Sequence, residues 1–157
     1  METSICELLR EQRVNIGLTQ KQCAERAKIT ERQYQTFEGD ERNLMTCSFR
    51  TAGKIINALE MDITAFFHGD VVHTDYYLLD DVKDAKASDQ LRQRREELGL
   101  TLKEVADRAE IILQQYQKYE GGQRDLRNGT FQTACRVIEA LDMDITAFFR
   151  GLIAERR

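Results

Sequence analysis

The sequence predicts an all-α fold made of two tandem five-helix domains. Proline is absent from the 157 residues and glycine occurs only nine times. Leu, Ala, Arg, Gln and Glu, which are strong helix formers, are abundant. Strand-like alternation of polar and apolar residues is nearly absent, so helices are expected along most of the chain.

An internal repeat predicts the domain organisation. The segment 9–69 aligns without a gap on 91–151, with every position displaced by 82, and 32 of the 61 pairs are identical. The repeat predicts one domain at 1–69, an acidic linker at 70–88 and a second domain at 89–157. Because units of this size are only marginally stable alone, we expect the copies to pack on each other or on a second chain.

Charge and linker composition narrow the possible functions. The net charge of −4 excludes a polybasic protein that holds nucleic acid by bulk charge, so any DNA contact must come from local patches. The linker carries −3 of this charge, and both repeats are near neutral. Its apolar Val71-Val72 and Tyr76-Tyr77-Leu78-Leu79 are expected to pack against a folded surface, unlike a flexible tether.

The first two helices of each repeat are separated by a glycine and a threonine. In the first copy, the opening helix ends at Gly17, and Thr19 caps a second helix that continues through Ala27. Gly99 and Thr101 repeat this pattern in the second copy. The apolar face of the opening helix consists of Ile5, Leu8, Leu9 and Ile16.

A helix–short turn–helix arrangement is predicted next. Lys28-Ile29 forms a tight turn, and Thr30 is a good cap for a third helix from Glu31 to Glu38. Tyr34 and Phe37, three residues apart, would form its buried side.

Two further helices complete each predicted bundle. The fourth is expected from about Ser48 to Leu59, and the fifth begins at Asp62 or Thr64 and ends at Phe67. The Ala-Phe-Phe at the end of each repeat contains one Phe more than a small core needs. Either both rings are buried within their own repeat, or one contributes to an interface.

These residues resemble the lambda-repressor-like helix-turn-helix family of the Cro/repressor or XRE type, over about four-fifths of the chain. In the first copy the resemblance is carried by Arg13, Gly17-Leu18-Thr19-Gln20, Ala24, Ala27, Ile29-Thr30, Tyr34, Phe37-Glu38 and Ala58-Leu59-Glu60-Met61-Asp62. In the second copy it is carried by Arg95, Gly99-Leu100-Thr101, Ala106, Ala109, Ile111, Tyr116 and Tyr119-Glu120-Gly121-Gly122. The resemblance implies that each third helix enters the major groove of DNA while the second helix crosses the backbone. It also implies that the terminal Phe-Phe helices form a homodimer or pseudo-dimer interface.

The first copy offers eight candidate DNA-binding residues. They are Gln20, Lys21, Glu31, Arg32, Gln33, Gln35, Thr36 and Arg42. Arg32 is suited to guanine, Gln33 or Gln35 to adenine, and Thr36 to a thymine methyl or a phosphate.

Several neighbouring residues modify this prediction. The resemblance places Gln20 at a phosphate contact that supports the reading helix, and it places Arg13 near DNA, although Arg13 could instead pair with Glu38. Arg50 is a further candidate for a phosphate contact. The acidic side chains of Glu31, Asp40 and Glu41 would repel phosphate.

The second copy departs further from the family pattern. Its candidate residues are Lys103, Leu113, Gln114, Gln115, Gln117, Lys118 and Arg124, and Arg94 and Arg127 are expected to keep the periphery basic. Leu102, Ile112 and Leu113 replace Gln20, Thr30 and Glu31. These apolar side chains either read thymine methyls and DNA shape or form a protein-binding patch.

The combined features predict a sequence-specific DNA-binding regulator whose simplest mechanism is repression by operator occupancy. The alternative is a protein-interaction module on a helix-turn-helix scaffold that has lost DNA binding. The predicted partner is double-stranded DNA. The sequence holds no recognisable catalytic set, metal-ligand spacing, cofactor motif or membrane segment, so neither an enzyme nor a cofactor is expected, and the location is expected to be cytoplasmic.

Overall fold

The computed structural model describes residues 4–78 and 87–151, and within them it contains helices and two isolated β-bridges but no strand. The all-α class is therefore confirmed for the described residues. Within these two ranges the α-helices are α1 Ile5–Asn15, α2 Gln20–Ala27, α3 Glu31–Glu38, α4 Phe49–Ala58, α5 Ile63–Phe67, α6 Ala87–Leu98, α7 Leu102–Ala109, α8 Leu113–Glu120, α9 Phe131–Ala140 and α10 Ile145–Phe149. A short 3-10 turn, Leu126–Asn128, lies between α8 and α9.

The bounds of α2 to α5 recur in α7 to α10 at a displacement of 82 residues. We call α1–α5 the first helix set and α6–α10 the second helix set. Ser48 and Leu59, predicted as the ends of the fourth helix, are its N-cap and C-cap. The fifth helix follows Asp62, whose side chain accepts a hydrogen bond from the Ala65 amide. Ala87 and Ser88, assigned by sequence to the linker, are already helical.

The interior of each helix set is built from equivalent side chains. Tyr34 and Phe37 in α3 are buried, as are Tyr116 and Tyr119 in α8. Burial of such aromatic side chains provides much of the driving force for folding a small helical unit. Since one side of α3 and one side of α8 are fixed in the interior, only the opposite sides are left for contact with another molecule.

Main-chain hydrogen bonds join the two helix sets reciprocally. The Phe49 amide donates to the Gly129 carbonyl at 2.8 Å, and the Phe131 amide donates to the Cys47 carbonyl at 2.8 Å. These four residues form two pairs that are each 82 positions apart, 47 with 129 and 49 with 131. Thr64 and Thr146, also 82 apart, lie 3.1 Å apart between their hydroxyl oxygens.

The terminal Phe-Phe residues cross between the helix sets. The rings of Phe49 and Phe131 stack with centroids 6.0 Å apart. Phe66 and Phe67 of the first set contact Phe131, and Phe148 and Phe149 of the second set contact Phe49. Of the two alternatives left open by the sequence, burial only within their own repeat is therefore wrong, because each pair packs against the opposite fourth-helix phenylalanine.

Gly53 makes close packing possible on one side of this interface. A β-carbon at Gly53 would lie 2.5 Å from the ring of Phe149, which is closer than atoms can approach. Cys135 occupies the equivalent position in the second set and is fully buried. The interface is therefore reciprocal in its backbone pairing but not identical in its side chains.

The chain after α5 packs on the first helix set through hydrogen bonds. The Asp62 amide donates to the Val72 carbonyl at 2.8 Å, and Asn57 exchanges two hydrogen bonds with the backbone of Tyr77. The Tyr76 hydroxyl donates to the Arg26 carbonyl at 3.1 Å. Val71 and Val72 remain exposed, so their predicted apolar packing is wrong.

Leu79 and the predicted linker residues 80–86 lie outside the described residues. No helix in residues 4–78 and 87–151 has both the length and the apolar character needed to cross a membrane.

Candidate nucleic-acid interface

The orientation of α3 relative to α2 is set by two capping boxes and a tight turn. The Thr19 and Thr30 hydroxyls each accept a hydrogen bond from the amide three residues later, and the side chains of Gln22 and Gln33 accept from the cap amides in return. Lys28 ends α2 in a left-handed conformation with φ of 54°. These local interactions fix both ends of the turn that the sequence predicted between the two helices.

A buried ion pair ties α1 to α3. The Arg13 Nε donates to Glu38 Oε2 at 2.7 Å and its Nη2 donates to Oε1 at 3.0 Å, while Nη1 donates to the Leu18 carbonyl. Burial alone would raise the pKa of Glu38, but the hydrogen bond and charge of Arg13 outweigh it and hold this pKa below its ordinary value. Arg13 therefore holds the fold together through Glu38, the alternative to a DNA contact that the sequence left open.

Two glutamines extend this pair towards the surface. The Gln20 Nε2 donates to Glu38 Oε1 at 3.4 Å, and the Gln35 Nε2 donates to Gln20 Oε1 at 3.3 Å. Gln35 is exposed on α3, and a chain of hydrogen bonds that begins at the half-buried Arg13 orients its side chain. This geometry can hold a planar amide ready for a base edge or a phosphate.

The other α3 candidates differ in what their polar atoms already contact. Glu31 and Arg32 are exposed. Gln33 is exposed as well, but its Oε1 accepts the hydrogen bond from the Thr30 amide that forms the cap. The half-buried Thr36 donates its hydroxyl proton to the Gln33 carbonyl at 2.6 Å.

Cationic residues flank α3. Lys21 near the start of α2 is exposed, and so is Arg42 in the loop after α3. The Arg42 guanidinium lies 5.1 Å above the ring of Phe37, which restricts where it can reach. Arg50, the further candidate for a phosphate contact, lies instead 3.6 Å from Asp125 of the second helix set.

The second helix set repeats the buried ion pair but not the glutamine chain. Arg95 donates from Nε to Glu120 Oε2 at 2.9 Å and from Nη2 to Oε1 at 2.7 Å. Leu102 stands where Gln20 stands in the first set and is half buried against the core. Gln117, equivalent to Gln35, is therefore without the support that Gln20 gives.

The start of α8 is capped differently from that of α3. Its N-cap residue is Ile112, and no side-chain hydrogen bond caps the helix there. The side chains of Ile112 and Leu113 are 66% and 37% exposed. Two apolar side chains thus lie at the beginning of the helix that would approach DNA.

Most of the remaining α8 candidates are on the surface. Gln114 and Lys118 are exposed, whereas Gln115 is half buried with its amide 3.5 Å from the Tyr119 hydroxyl. Lys103 near the start of α7 and Arg124 in the loop after α8 are exposed.

The expectation that Arg94 and Arg127 keep the periphery basic is wrong. Both are buried, at 9% and 3% exposure. Arg94 donates to the Leu141 carbonyl at 3.0 Å. The Arg127 guanidinium lies 4.6 Å above the ring of Phe148, so both cations belong to the packing of the helix sets.

The two surfaces differ in charge. Residues 31–42, α3 and its following loop, carry four acidic and two basic side chains for a net charge of −2, whereas residues 113–124 carry one acidic and two basic side chains for +1. One acidic residue in each segment, Glu38 or Glu120, is neutralised by its arginine. We call residues 31–42 the α3 face and residues 113–124 the α8 face, and the α8 face is the more favourable for phosphate.

Comparison with known families supports a helix-turn-helix domain. Residues 87–147 match the family model described as a helix-turn-helix domain, a range that contains all of α6 to α9 and the α8 face. No curated protein and no solved structure matches the chain. A helix-turn-helix match of this kind suggests a DNA-binding regulator in general.

Sequence reasoning missed three interactions that shape this region. They are the reciprocal main-chain bonds of Phe49 and Phe131 to the opposite helix set, the close approach of Phe149 to Gly53, and the pairing of the chain after α5 with Asn57. For the first of these, the available signal was the internal repeat, which places equivalent residues 82 positions apart. Backbone pairing of irregular segments leaves no periodic pattern, so the third had no signal.

Proposed function

We propose that the chain is a sequence-specific DNA-binding regulator made of two tandem lambda-repressor-like helix-turn-helix domains, residues 1–69 and 89–157, which pair within one polypeptide. The carrying observation is the α8 face, which lies in the matched region. Tyr116, Tyr119 and Glu120 fix its inner side, and Gln114 and Lys118 are exposed on its outer side. An exposed helix with amide and cationic side chains is suited to the edges of bases and to phosphates.

The reciprocal interface supports a single-chain pseudo-dimer. Its two main-chain hydrogen bonds, from Phe49 to Gly129 and from Phe131 to Cys47, are exchanged between equivalent positions, as in an isologous interface of two identical subunits. Thr64 also meets its own equivalent, Thr146. The surface formed by Phe66, Phe67, Phe148 and Phe149 is used within the chain. We therefore expect one chain, rather than two, to occupy one DNA site.

The form of the site follows from this arrangement. Paired helix-turn-helix units place their reading helices about one turn of DNA apart, roughly 34 Å. The exposed residues of α3 and α8 differ, so the site is expected to be an imperfect palindrome or two unlike half-sites. Repression by occupancy of such an operator is the simplest mechanism.

The test is selection of full-length protein on a random duplex library at two salt concentrations. A DNA-binding regulator selects a common site, and the logarithm of its affinity falls with the logarithm of salt with a slope near −0.9 for each phosphate contacted. Binding of the selected duplex at a stoichiometry of one chain supports the pseudo-dimer. Failure to enrich any sequence, or an affinity unaffected by salt, would contradict the proposal and favour a protein-interaction module.

Two variants separate base reading from phosphate binding. Arg32→Ala is expected to weaken binding to the selected site more than binding to random DNA. Lys21→Glu with Arg42→Glu is expected to weaken both alike, because phosphate contacts carry no sequence information. Equal loss on both DNAs for Arg32→Ala would remove that residue from the base-reading role.

A further inference from the structure

The start of α8 lacks a stabilising side-chain cap and instead exposes apolar surface. Its N-cap, Ile112, has no side-chain oxygen to cap a helix amide, whereas the Thr30 hydroxyl at the equivalent position of α3 accepts a hydrogen bond from the Gln33 amide. Ile112 is 66% exposed, so burial in this chain does not account for the apolar residue. A residue type that does not favour folding at its position is typical of a position used for binding.

The side chains beside this apolar pair are those of a DNA-facing helix. Leu113 and Gln117 are four residues apart and form one exposed row, and Gln114 and Lys118 form the row next to it. The α8 face as a whole is positively charged, in contrast to the negative α3 face. An occupant of this surface should therefore be anionic overall and present small apolar groups.

The major groove of DNA has this combination of properties. Phosphates make the duplex a polyanion, and the C5 methyl group of thymine is the apolar feature that base edges present in the groove. We infer that Ile112 and Leu113 recognise thymine methyl groups in the half-site under α8, an inference that rests on the proposed function. The first helix set has the polar Thr30 and Glu31 at the equivalent positions, so the same apolar recognition is not expected there.

The test removes the methyl group alone. In the duplex selected by the full-length protein, the thymidines of one half-site at a time are replaced by deoxyuridine, and affinity is measured for the wild type and for the double variant Ile112→Thr, Leu113→Ala. The affinity of the wild type is expected to fall about fourfold for each contacted methyl group, because burial of one such carbon contributes about that factor to binding. The fall is expected for substitutions in one half-site only. The double variant is expected to bind both duplexes equally, with an affinity near that of the wild type for the deoxyuridine duplex.

Two controls distinguish this loss from general damage. Val14 of α1 is 62% exposed and outside both faces, so Val14→Thr also replaces an exposed apolar side chain by threonine and should keep the wild-type sensitivity to deoxyuridine. Ile112→Thr alone should raise the thermal midpoint of unfolding while it weakens binding, which a merely structural role would not produce.

Each contrary outcome has a defined meaning. The inference is overturned if the selected half-sites contain no thymine. It is also overturned if the double variant stays as sensitive to deoxyuridine as the wild type, and in both cases the proposed function stays in place. A double variant that binds the thymine duplex as tightly as the wild type would assign the apolar pair to a protein partner instead. Absence of any selected site would overturn both proposals.

Discussion

The α3 and α8 faces share a framework and differ in what they expose. Both helices have eight residues and both hold a buried glutamate against an arginine of the first helix in their set. The α3 face is negative, follows the capping residue Thr30 and contains a supported glutamine. The α8 face is positive, follows the exposed N-cap Ile112 and begins with the exposed Leu113. The comparison shows that packing constrains the inner half of each helix while the outer half is free to diverge.

The largest expected effect on stability comes from removing the arginine that pairs with the buried glutamate in each helix set. Arg13→Ala and Arg95→Ala each leave a buried carboxylate without its partner, which should lower the free energy of unfolding by about 3 kcal/mol. Arg95→Ala is expected to be the more damaging, because Gln20 still donates to Glu38 whereas Leu102 cannot donate to Glu120. Urea unfolding of the two variants measures the difference.

The control for this pair is Arg10→Ala. The Arg10 side chain is 62% exposed and lies 3.9 Å from Glu38, so its loss should change stability by less than about 1 kcal/mol. Equal destabilisation by Arg13→Ala and Arg95→Ala would show that Gln20 gives no support to the first ion pair.

The next effect concerns charge on the two faces. Lys118→Ala with Arg124→Ala should weaken binding to random duplex DNA by about tenfold or more and reduce the salt slope by about 1.8, for two phosphate contacts. Arg32→Ala with Arg42→Ala should lower the affinity for random DNA less, because the acidic Glu31, Asp40 and Glu41 already repel phosphate from the α3 face. Titrations at several salt concentrations provide the measurement, and a larger loss for the α3 variant would reverse the comparison.

A smaller effect is expected from exchanging the N-caps. Ile112→Thr should stabilise the protein by about 1 kcal/mol through a new hydrogen bond at the start of α8, and Thr30→Ile should destabilise it by a similar amount. The two changes are chemically the reverse of each other at equivalent positions. Thermal or urea unfolding tests the pair, and a destabilising Ile112→Thr would mean that Ile112 contributes to packing.

The last prediction concerns how the stability supplied by the first ion pair depends on pH in acid. The pKa of Glu38 is lower in the folded than in the unfolded state, so its contribution to stability is present above the unfolded value, about 4.3, and is lost as the pH falls through the folded value. The stability gap between the wild type and Glu38→Gln should therefore narrow below about pH 4.3. A gap that stays constant between pH 6 and pH 3 would exclude this titration.

Much of the fold was predictable because helix signals are local. Thr19 and Thr30 both form the predicted caps, and the bounds of α3 agree with the prediction at both ends. The candidate surface was predictable only as a set of outward positions. Whether Arg94 and Arg127 were exposed depended on contacts with Leu141 and Phe148, which are distant in sequence, so periodicity could not show that both are buried.

The arginine of the first helix illustrates the same limit at the site. The sequence left two roles open for Arg13, a contact with DNA or an ion pair with Glu38, because an arginine is suited to both. The bidentate geometry at 2.7 and 3.0 Å decides in favour of Glu38, since it occupies Nε and Nη2 while Nη1 donates to a carbonyl. Exposed candidates such as Arg32 stay predictions, since only a bound duplex tests them.

The reciprocal pairing of Phe49 with Gly129 and of Phe131 with Cys47 has a consequence for inheritance. In a dimer of identical subunits, one altered codon changes both halves of the interface and both reading helices at once. Here each codon changes one half only, as Gly53 opposite Phe149 and Cys135 at the matching position illustrate. The sequence of α3 can therefore change while that of α8 stays constant, which a homodimer cannot do.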